Sequence, residues 1–339
     1  MIYIHVPFCS SFCTYCSFYS ETFCTGQDAG AVFGPYVDEL CAEIESRRDE
    51  IEATLGLNTL YIGGGTPSVL PLAYLERIAG ALPYGPYEEF TLEVNPDDVV
   101  KLGRGWLQGL SRLGVSRISM GVQSLDDGIL RWMNRRHDAE EARKAYAMLR
   151  EGVFDVSVDI ITGVPGMSDY VLAATIREIV SWRPDHISAY QLSIEEGSHL
   201  ADMIASGQEQ EAPEEQCRAQ YEMVCRMLAE AGYEHYEISN WALPGKRSVH
   251  NSAYWTRRPY VGLGPGAHSL SLGPDYRSWN SQARSGWTRD GEYLTPEEIR
   301  EETIMLGLRT KEGVDIDGRH LSIPESDWFI ADDIISTLI

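Results

Sequence analysis

Short apolar runs recur along roughly the first 240 residues, and a stretch with helical spacing of apolar residues separates each run from the next. The runs that we predict as strands are 1–6, 58–62, 90–94, 117–122, 155–161, 186–192 and 233–238. The stretches that we predict as helices are 35–44, 72–82, 105–113, 138–150, 171–182, 200–231 and 295–308. Such alternation of strands and helices is typical of βαβ units and of a parallel sheet.

The periodicity alone leaves two architectures open. One is a barrel-like sheet, complete or partial, with its chemistry on the loops at the carboxyl ends of the strands. The other is a doubly wound open sheet. Because each strand ends in Gly, Pro or a polar residue, we expect these ends to converge. The composition changes near residue 240, where Trp, Tyr, Gly and Arg become frequent, so we predict a first domain over 1–240 and an extension over 241–339.

Three cysteines follow the first predicted strand at C-x3-C-x2-C spacing, namely Cys9, Cys13 and Cys16. A disulfide framework is disfavoured, since no secretory signal precedes them and a chain of this length does not need disulfide bonds for stability. Structural zinc normally takes four ligands, and no second ligand pair follows at a suitable distance. Three thiolates would leave one iron of a 4Fe-4S cluster open for a substrate or cofactor. The remaining cysteines lack ligand spacing: Cys24, Cys41, Cys217 and Cys225.

The overall charge of the chain disfavours some classes of binding partner. The chain has 339 residues, 43% hydrophobic and 23% charged, with a formal net charge of −23. This acidity disfavours nucleic acid and anionic membrane surfaces, which select basic patches. No apolar run approaches the length of a transmembrane helix, so we expect no membrane span. A requirement for reduced thiols makes the cytoplasm the expected compartment.

Several later strand ends carry residues suited to ligand contact. The segment 63–67, Gly-Gly-Gly-Thr-Pro, lets a bare backbone approach a ligand closely. Glu93 ends the next strand, where its carboxylate could accept hydrogen bonds from an amino group or from ribose hydroxyls. Gln123 and Asp159 occupy equivalent strand ends, and burial there would demand hydrogen-bond partners. Arg135 is a candidate for a bidentate pair with a carboxylate.

The cysteine spacing, with Tyr15 just before the last cysteine, resembles the cluster loop of radical S-adenosylmethionine (SAM) enzymes. The strings 3–9 and 13–18 resemble one branch of them, which holds HemN-type oxygen-independent coproporphyrinogen III dehydrogenases and HemW-type heme chaperones. The resemblance implies an α/β fold, a radical SAM partial (βα)6 TIM-like barrel with a C-terminal α+β extension. It also implies that the open iron is chelated by SAM, which one-electron reduction can cleave to a deoxyadenosyl radical.

The resemblance also implies which residues bind the cofactors. Cys9, Cys13 and Cys16 would hold the 4Fe-4S cluster. Some members of this branch bind two SAM molecules, and three of the matching positions belong there to the second one: Gln123, Arg135 and Asp159. The positions that match SAM-binding residues are Tyr3, Tyr15, Gly64, Gly65, Thr66, Glu93, Gln123, Arg135, Asp159 and Ser193.

Two features point to the chaperone side of this branch. The string 250–255, His-Asn-Ser-Ala-Tyr-Trp, resembles the HNxxYW motif of HemW-type proteins, and so does the glycine-rich segment 262–269. Imidazole is a usual axial ligand of heme iron, so His250 is the first candidate for contacting heme and His268 the second. Phe18 stands where dehydrogenase-type members tend to have a further cysteine.

Three functions are therefore weighed. The first is a heme chaperone that binds a 4Fe-4S cluster, SAM and heme, and delivers heme to apo-proteins. The second is a coproporphyrinogen III dehydrogenase, which decarboxylates propionates oxidatively. The third is a non-catalytic binding module whose α/β fold is stapled by zinc.

Overall fold

A computed structural model describes residues 1–23, 27–54, 56–83, 85–273 and 275–339. Cys24, which lacked ligand spacing in the sequence, lies outside these ranges. Within them, none of the helices has the length and apolar character needed to cross a membrane.

Strands occur throughout the described chain. They are β1 Ile2–Val6, β2 Phe8–Cys9, β3 Glu21–Thr22, β4 Thr59–Gly64, β5 Glu89–Val94, β6 Arg117–Gln123, β7 Asp155–Thr162, β8 His186–Gln191, β9 Glu234–Glu237, β10 Asn240–Ala242, β11 Val261–Leu263, β12 His268–Leu270, β13 Tyr276–Asn280, β14 Arg289–Tyr293, β15 Val314–Ile316 and β16 Arg319–Leu321. Each strand predicted from the sequence appears, displaced at its ends by two residues or fewer.

The helices lie mainly between the strands. They are α1 Ala29–Ser46, α2 Arg48–Ala53, α3 Leu72–Ala81, α4 Pro96–Leu113, α5 Asp127–Trp132, α6 Ala139–Arg150, α7 Asp169–Trp182, α8 His199–Ala205, α9 Glu214–Glu230, α10 Val249–Trp255, α11 Pro296–Gly307 and α12 Ala331–Ser336, with short 3-10 helices at Pro67–Val69 and Glu325–Ile330.

The strands β1, β4, β5, β6, β7 and β8 lie side by side in chain order and pair in parallel. In the described part of the chain, β11 pairs in parallel with the free side of β1, and β10 pairs antiparallel with β8. The first and last of the six strands thus take other partners instead of each other. This is the predicted partial (βα)6 barrel, open between β1 and β8.

The two faces of the sheet differ in polarity because successive strand residues point to opposite sides. The outward residues are buried and apolar, as Phe90, Leu92 and Val94 show on β5, and they pack in one core with the helices. The inward residues are mostly polar. Those that border the barrel interior include Tyr61, Thr91, Glu93, Arg117, Ser119, Ser157, Asp159, His186, Ser188 and Tyr190. The interior therefore stays open, whereas a typical barrel is filled with branched apolar side chains.

Three helix predictions had wrong bounds. The helix expected at 35–44 begins at Ala29, where the side chain of the preceding Asp28 accepts a hydrogen bond from the Gly30 N–H. The helix expected at 105–113 begins at Pro96, because Asn95 precedes a proline in the first helical position and Gly103 interrupts the helix with a φ of 73°. The helix expected at 200–231 is two helices, α8 and α9. Gly207, with a φ of 74°, follows the end of α8, and Pro213 is the residue before α9.

The domain boundary predicted between residues 240 and 241 falls inside strand β10, so the central sheet runs on into the second region. The chain then crosses back and adds β11 beside β1. Beyond β11, the antiparallel sheet β12–β13–β14, helix α11 and the hairpin β15–β16 form the α+β extension. Composition could not show that the extension supplies strands to the barrel.

Glu89 joins the amino-terminal end of the barrel to helix α10. This buried carboxylate accepts hydrogen bonds from Arg117 Nε at 2.9 Å, from the backbone N–H groups of Val249 and His250 at 3.0 and 2.9 Å, and from Ser248 Oγ at 3.2 Å. Removal of the carboxylate would leave the buried guanidinium of Arg117 without its ion-pair partner.

We predict that Glu89→Ala lowers the free energy of unfolding by about 3–5 kcal/mol, because a buried positive charge loses its compensation. The neighbouring carboxylate provides a matched control. Glu88 is exposed, so Glu88→Ala is expected to change stability by no more than about 0.5 kcal/mol. Denaturant titration of the two variants measures both values, and equal losses would contradict this assignment.

Candidate functional site

A cavity of about 620 Å³ opens at the carboxyl ends of the barrel strands and continues into the polar interior. The three predicted cluster ligands, Cys9, Cys13 and Cys16, all border it. Nine of the ten predicted SAM residues border it as well: Tyr15, Gly64, Gly65, Thr66, Glu93, Gln123, Arg135, Asp159 and Ser193. The sequence-predicted site residues are thus brought to one place in the fold.

The loop that carries the thiols is held by backbone contacts on several sides. Its turn is closed by the Cys16 N–H, which donates to the Cys13 carbonyl at 3.2 Å. Thr14 donates through its backbone N–H to Met133 O at 3.0 Å, and its carbonyl accepts from Leu200 N at 2.8 Å. The loop is therefore fixed both to the segment after α5 and to the start of α8.

The thiols have few partners among the protein groups. Cys9 Sγ lies 3.3 Å from Thr66 Oγ1, and Arg135 Nη1 donates to Cys13 Sγ at 3.3 Å. Burial raises the pKa of the Cys9 thiol, and it raises the pKa of Cys16 to about 11. A bound cationic metal centre would supply the charge that stabilises these thiols as thiolates. The donor set therefore fits an iron–sulfur cluster.

Within the described ranges, no three His, Cys, Asp or Glu side chains form a group that could hold a single metal ion. A 4Fe-4S cluster makes a different demand on its ligands, because each thiolate binds a separate iron atom. Three thiols around one cavity wall meet that demand without converging on a single point.

The glycine segment packs directly on the thiol loop. The Gly65 N–H donates to Val6 O at 2.8 Å, and the Thr66 N–H donates to Phe8 O at 2.7 Å. A Cβ on Gly65 would lie 2.7 Å from the Phe8 carbonyl oxygen, so a larger residue would displace the backbone before Cys9. Gly64 has a φ of 113°, which favours glycine on conformational grounds.

Glu93 is a buried carboxylate in the wall next to the glycine segment. It accepts hydrogen bonds from Tyr61 Oη at 2.7 Å and from the Gly64 N–H at 3.1 Å. Burial, reinforced by the nearby Asp159, raises the pKa of Glu93 to about 7. Tyr3 lies behind this wall, with its ring 6.1 Å from that of Tyr61. Tyr3 is the one predicted SAM residue that does not border the cavity.

The three residues matched to a second SAM border the same cavity. Asp159 accepts from Ser119 Oγ at 3.0 Å, and burial raises its pKa to about 6. Gln123 ends β6 with a φ of 65°, an uncommon conformation for a residue other than glycine. A Cβ on Gly121 would lie 2.8 Å from Gln123 Nε2, so glycine leaves room for that side chain.

Within the described chain, Arg135 does not form a bidentate pair with a carboxylate. Its Nη2 donates to the Gly121 carbonyl at 2.6 Å, while its Nη1 reaches Cys13. The neighbouring Arg136 makes the fork, with contacts of 3.2 and 2.8 Å to the two carboxylate oxygens of Asp98. Sequence spacing did not distinguish the two adjacent arginines, whose directions depend on the loop after α5.

Ser193 and the two heme candidates differ in their surroundings. Ser193 is exposed at the rim, where its Oγ donates to Glu195 Oε1 at 2.5 Å. His250 is fully buried under the barrel, with Nδ1 2.9 Å from Thr59 Oγ1 and Nε2 3.1 Å from Tyr254 Oη. Both ring nitrogens have hydrogen-bonding partners in this conformation, and a contact between His250 and heme stays a prediction. His268 is exposed on β12.

The sequence analysis missed the polar residues deeper in the barrel. Thr91, Arg117 and Ser157 border the cavity although none was singled out. Thr91 Oγ1 and Arg117 Nη1 are buried without a hydrogen-bond partner among the described residues. The available signal was a polar residue at every second position of strands that are otherwise apolar.

Comparisons with known proteins agree with this geometry. Residues 3–179 match the family model described as the Radical SAM superfamily. The chain is 34% identical to the heme chaperone HemW of Lactococcus lactis, over 92% of this chain and 82% of that protein. It is 33% identical to HemW of Bacillus subtilis, over 92% of this chain and 84% of that protein.

A vertebrate relative and a solved structure extend the comparison. The mitochondrial radical S-adenosyl methionine domain-containing protein 1 of Danio rerio is 31% identical, over 96% of this chain and 76% of that protein. The structure of coproporphyrinogen III oxidase HemN from Escherichia coli superposes with a TM-score of 0.79, covering 99% of this chain and 88% of that one. At 19% identity this likeness shows a shared fold. The chain belongs to the radical SAM superfamily and, within it, to the family of the HemW proteins.

Proposed function

We propose that this chain is a heme chaperone of the radical SAM class, which binds a 4Fe-4S cluster, SAM and heme and delivers heme to apo-proteins. One observation carries the proposal: three thiols, the glycine segment and Glu93 border a single cavity in a chain that covers more than four fifths of two HemW relatives. Exposed Phe18, at the end of the thiol loop, occupies the position where dehydrogenase-type proteins tend to have a cysteine.

The thiol loop would hold the cluster through Cys9, Cys13 and Cys16, one iron atom for each thiolate. When bound, the cluster and SAM supply one-electron chemistry at the open iron. Arg135 brings a positive charge to Cys13, which offsets part of the negative charge of the thiolate ligands. The contacts of Thr14 keep the loop in place while the cavity mouth stays accessible.

The cavity walls would position SAM. Glu93 accepts two hydrogen bonds from the protein and retains acceptor capacity for a cationic amino group or a ribose hydroxyl. Such a cation would stabilise the ionised carboxylate in a buried setting that otherwise favours its protonated form. Tyr3 supports the wall from behind, through the ring contact with Tyr61.

The setting that we propose is the cytoplasm, with a heme-accepting apo-protein as partner and without nucleic acid. The net charge of −23 supports this choice of partners, because polyanions would be repelled. The alternative function is the oxidative decarboxylation of coproporphyrinogen III. The likeness to HemN does not by itself favour this activity, because proteins that share a fold can differ in function.

The deciding experiment is a hemin titration of the anaerobically reconstituted protein. We expect a Soret band that saturates with added hemin. The bound heme should then transfer to the apo-form of a b-type cytochrome. The same preparation, with reductant, SAM and coproporphyrinogen III, is expected to release no carbon dioxide catalytically. The proposal is wrong if no Soret band develops, and multiple turnovers of the porphyrinogen would establish the dehydrogenase instead.

A metal analysis tests the thiol loop. We predict that Cys16→Ser lowers the iron and sulfide content below the roughly four of each expected for an intact cluster, because one iron loses its thiolate. Cys41→Ser is the matched control, since this partly buried thiol on α1 does not border the cavity and should leave both contents unchanged. Zinc in place of iron would support the zinc-stapled module.

The raised pKa of Glu93 predicts a pH effect in the protein free of cluster and SAM. Because the pKa rises from 4.5 in the unfolded chain to about 7 on burial, the folded chain holds the proton more tightly. This stabilisation is fully present below about pH 4.5 and is lost as pH rises through about 7. From pH 5.5 to 8 the wild type should lose about 2 kcal/mol of unfolding free energy relative to Glu93→Gln.

Denaturant titrations at the two pH values measure this difference. Glu88→Gln serves as the control, because it removes an exposed carboxylate outside the cavity. Parallel pH dependence of the wild type and Glu93→Gln would contradict the assignment of the raised pKa to Glu93.

A further inference from the structure

The cavity extends below the residues predicted to bind the cofactors. Arg117 and His186 are the first residues of β6 and β8, and Thr91 lies opposite Arg117 in the β5–β6 pair. Ser248 and Asn251 belong to the segment that begins helix α10. All five border the cavity, although they lie toward the amino-terminal side of the barrel, away from the thiol loop. We call these five residues the floor of the cavity.

Two polar atoms of the floor are buried without a partner. Thr91 is 1% exposed and Arg117 is 4% exposed. Within the ranges that the structure describes, Thr91 Oγ1 and Arg117 Nη1 have no hydrogen-bond partner. Because the two residues are register partners on neighbouring parallel strands, their side chains lie side by side on the inner face of the sheet. A ligand that accepts from both would remove the cost of two unsatisfied buried groups.

The guanidinium of Arg117 is held in place through its other nitrogens. Nε donates to Glu89 Oε2 at 2.9 Å, and Nη2 donates to the carbonyls of Lys246 and Arg247 at 3.0 and 3.2 Å. Glu89 lies outside the set of residues that border the cavity, and it also accepts from Ser248 Oγ and from two backbone N–H groups. Its negative charge is therefore shared among several donors, whereas Nη1 brings positive charge to the cavity.

The neighbouring ionisable groups do not use the two free donors. Both ring nitrogens of His186 have partners, with Nδ1 2.7 Å from Ser157 Oγ and Nε2 2.7 Å from Tyr236 Oη. Glu93 and Asp159 accept hydrogen bonds from the hydroxyl groups of other residues. The floor therefore presents two donors and a positive charge, and the matching acceptor must come from a ligand.

We propose that the floor binds the carboxylate of a ligand, with Arg117 Nη1 and Thr91 Oγ1 as donors to its oxygens. A carboxylate fits this pair because it has two acceptor oxygens and a negative charge, and its hydrogen bonds with arginine are strong. The rest of the ligand extends toward Glu93, which lies two residues, or about 7 Å, farther along β5. This site goes beyond the proposed function. Its carboxylate can belong to a free small acid or to the propionate arm of a porphyrin.

Calorimetric titration of the full chain, reconstituted anaerobically with cluster and SAM, tests the site with butyrate as the probe. Butyramide is the uncharged analogue of the same shape, and both titrations are made at one ionic strength. Butyrate is expected to bind at least about tenfold more tightly than butyramide, because only the carboxylate forms a charge-assisted hydrogen bond with arginine. Absence of butyrate binding, or equal affinities for the two probes, would overturn the proposal.

Thr91→Val removes one donor and retains the shape of the side chain. It should weaken butyrate binding by about tenfold without lowering the midpoint of unfolding, because the hydroxyl has no protein partner to lose. Thr175→Val is the matched control, since this buried threonine lies outside the cavity and its hydroxyl accepts from the Leu125 N–H at 3.2 Å. It should lower the midpoint and leave the butyrate affinity unchanged. Wild-type butyrate affinity in Thr91→Val contradicts the assignment.

Arg117→Lys tests the second donor, because lysine keeps a positive charge near Glu89 and lacks the Nη1 group. It should also weaken butyrate binding by about tenfold, with circular dichroism as the check that the variant is folded. Hemin titration of Thr91→Val then identifies the source of the carboxylate. A loss of hemin affinity similar to that for butyrate indicates a porphyrin propionate, and an unchanged hemin affinity indicates a free small acid. The butyrate measurements need no heme, so they stand or fail independently of the proposed function.

Discussion

The structure depends on the alternation of apolar and polar residues along the barrel strands. Outward side chains such as Leu92 and Ile118 pack against helices and provide the burial that drives folding. Inward side chains such as Ser119 and Asp159 hydrogen-bond to one another and leave the interior unfilled. A polar interior is costly unless its groups are paired, and pairing between neighbouring strands meets most of that demand. The cavity for the cofactors is a consequence of this pattern.

For the ionisable residues of the interior, hydrogen bonds offset only part of the cost of burial. Glu93 and Asp159 have protein donors, yet the pKa of each lies above its ordinary value because burial outweighs those hydrogen bonds. Both carboxyl groups are thus prepared to gain from a cationic ligand. The thiols are in a similar position, since burial disfavours their charged form until a metal centre is present. Protein and cofactors supply complementary charges.

Much of the fold and of the site could be predicted from the sequence because both depend on local patterns. Strand periodicity gave the barrel strands, and the residue type at each strand end indicated where ligands would gather. The position of His250 could not be predicted, because its burial beneath the barrel depends on the path of the chain after β10. The extent of α4 and the break between α8 and α9 depended on single Gly and Pro residues. Which of two adjacent arginines faces the thiols required three-dimensional information.

The pairing of β11 with β1 has a consequence for how this protein is made. Val261 lies opposite Ile2, so the strand that leads into the thiol loop receives its second neighbour from a segment synthesised more than 250 residues later. Contacts of such sequence separation form late, because a long stretch of chain must first be ordered. Until residues 261–263 have left the ribosome, one edge of β1 remains unpaired. The strand that leads into the thiol loop therefore gains its second neighbour only after the whole barrel and helix α10 have been synthesised.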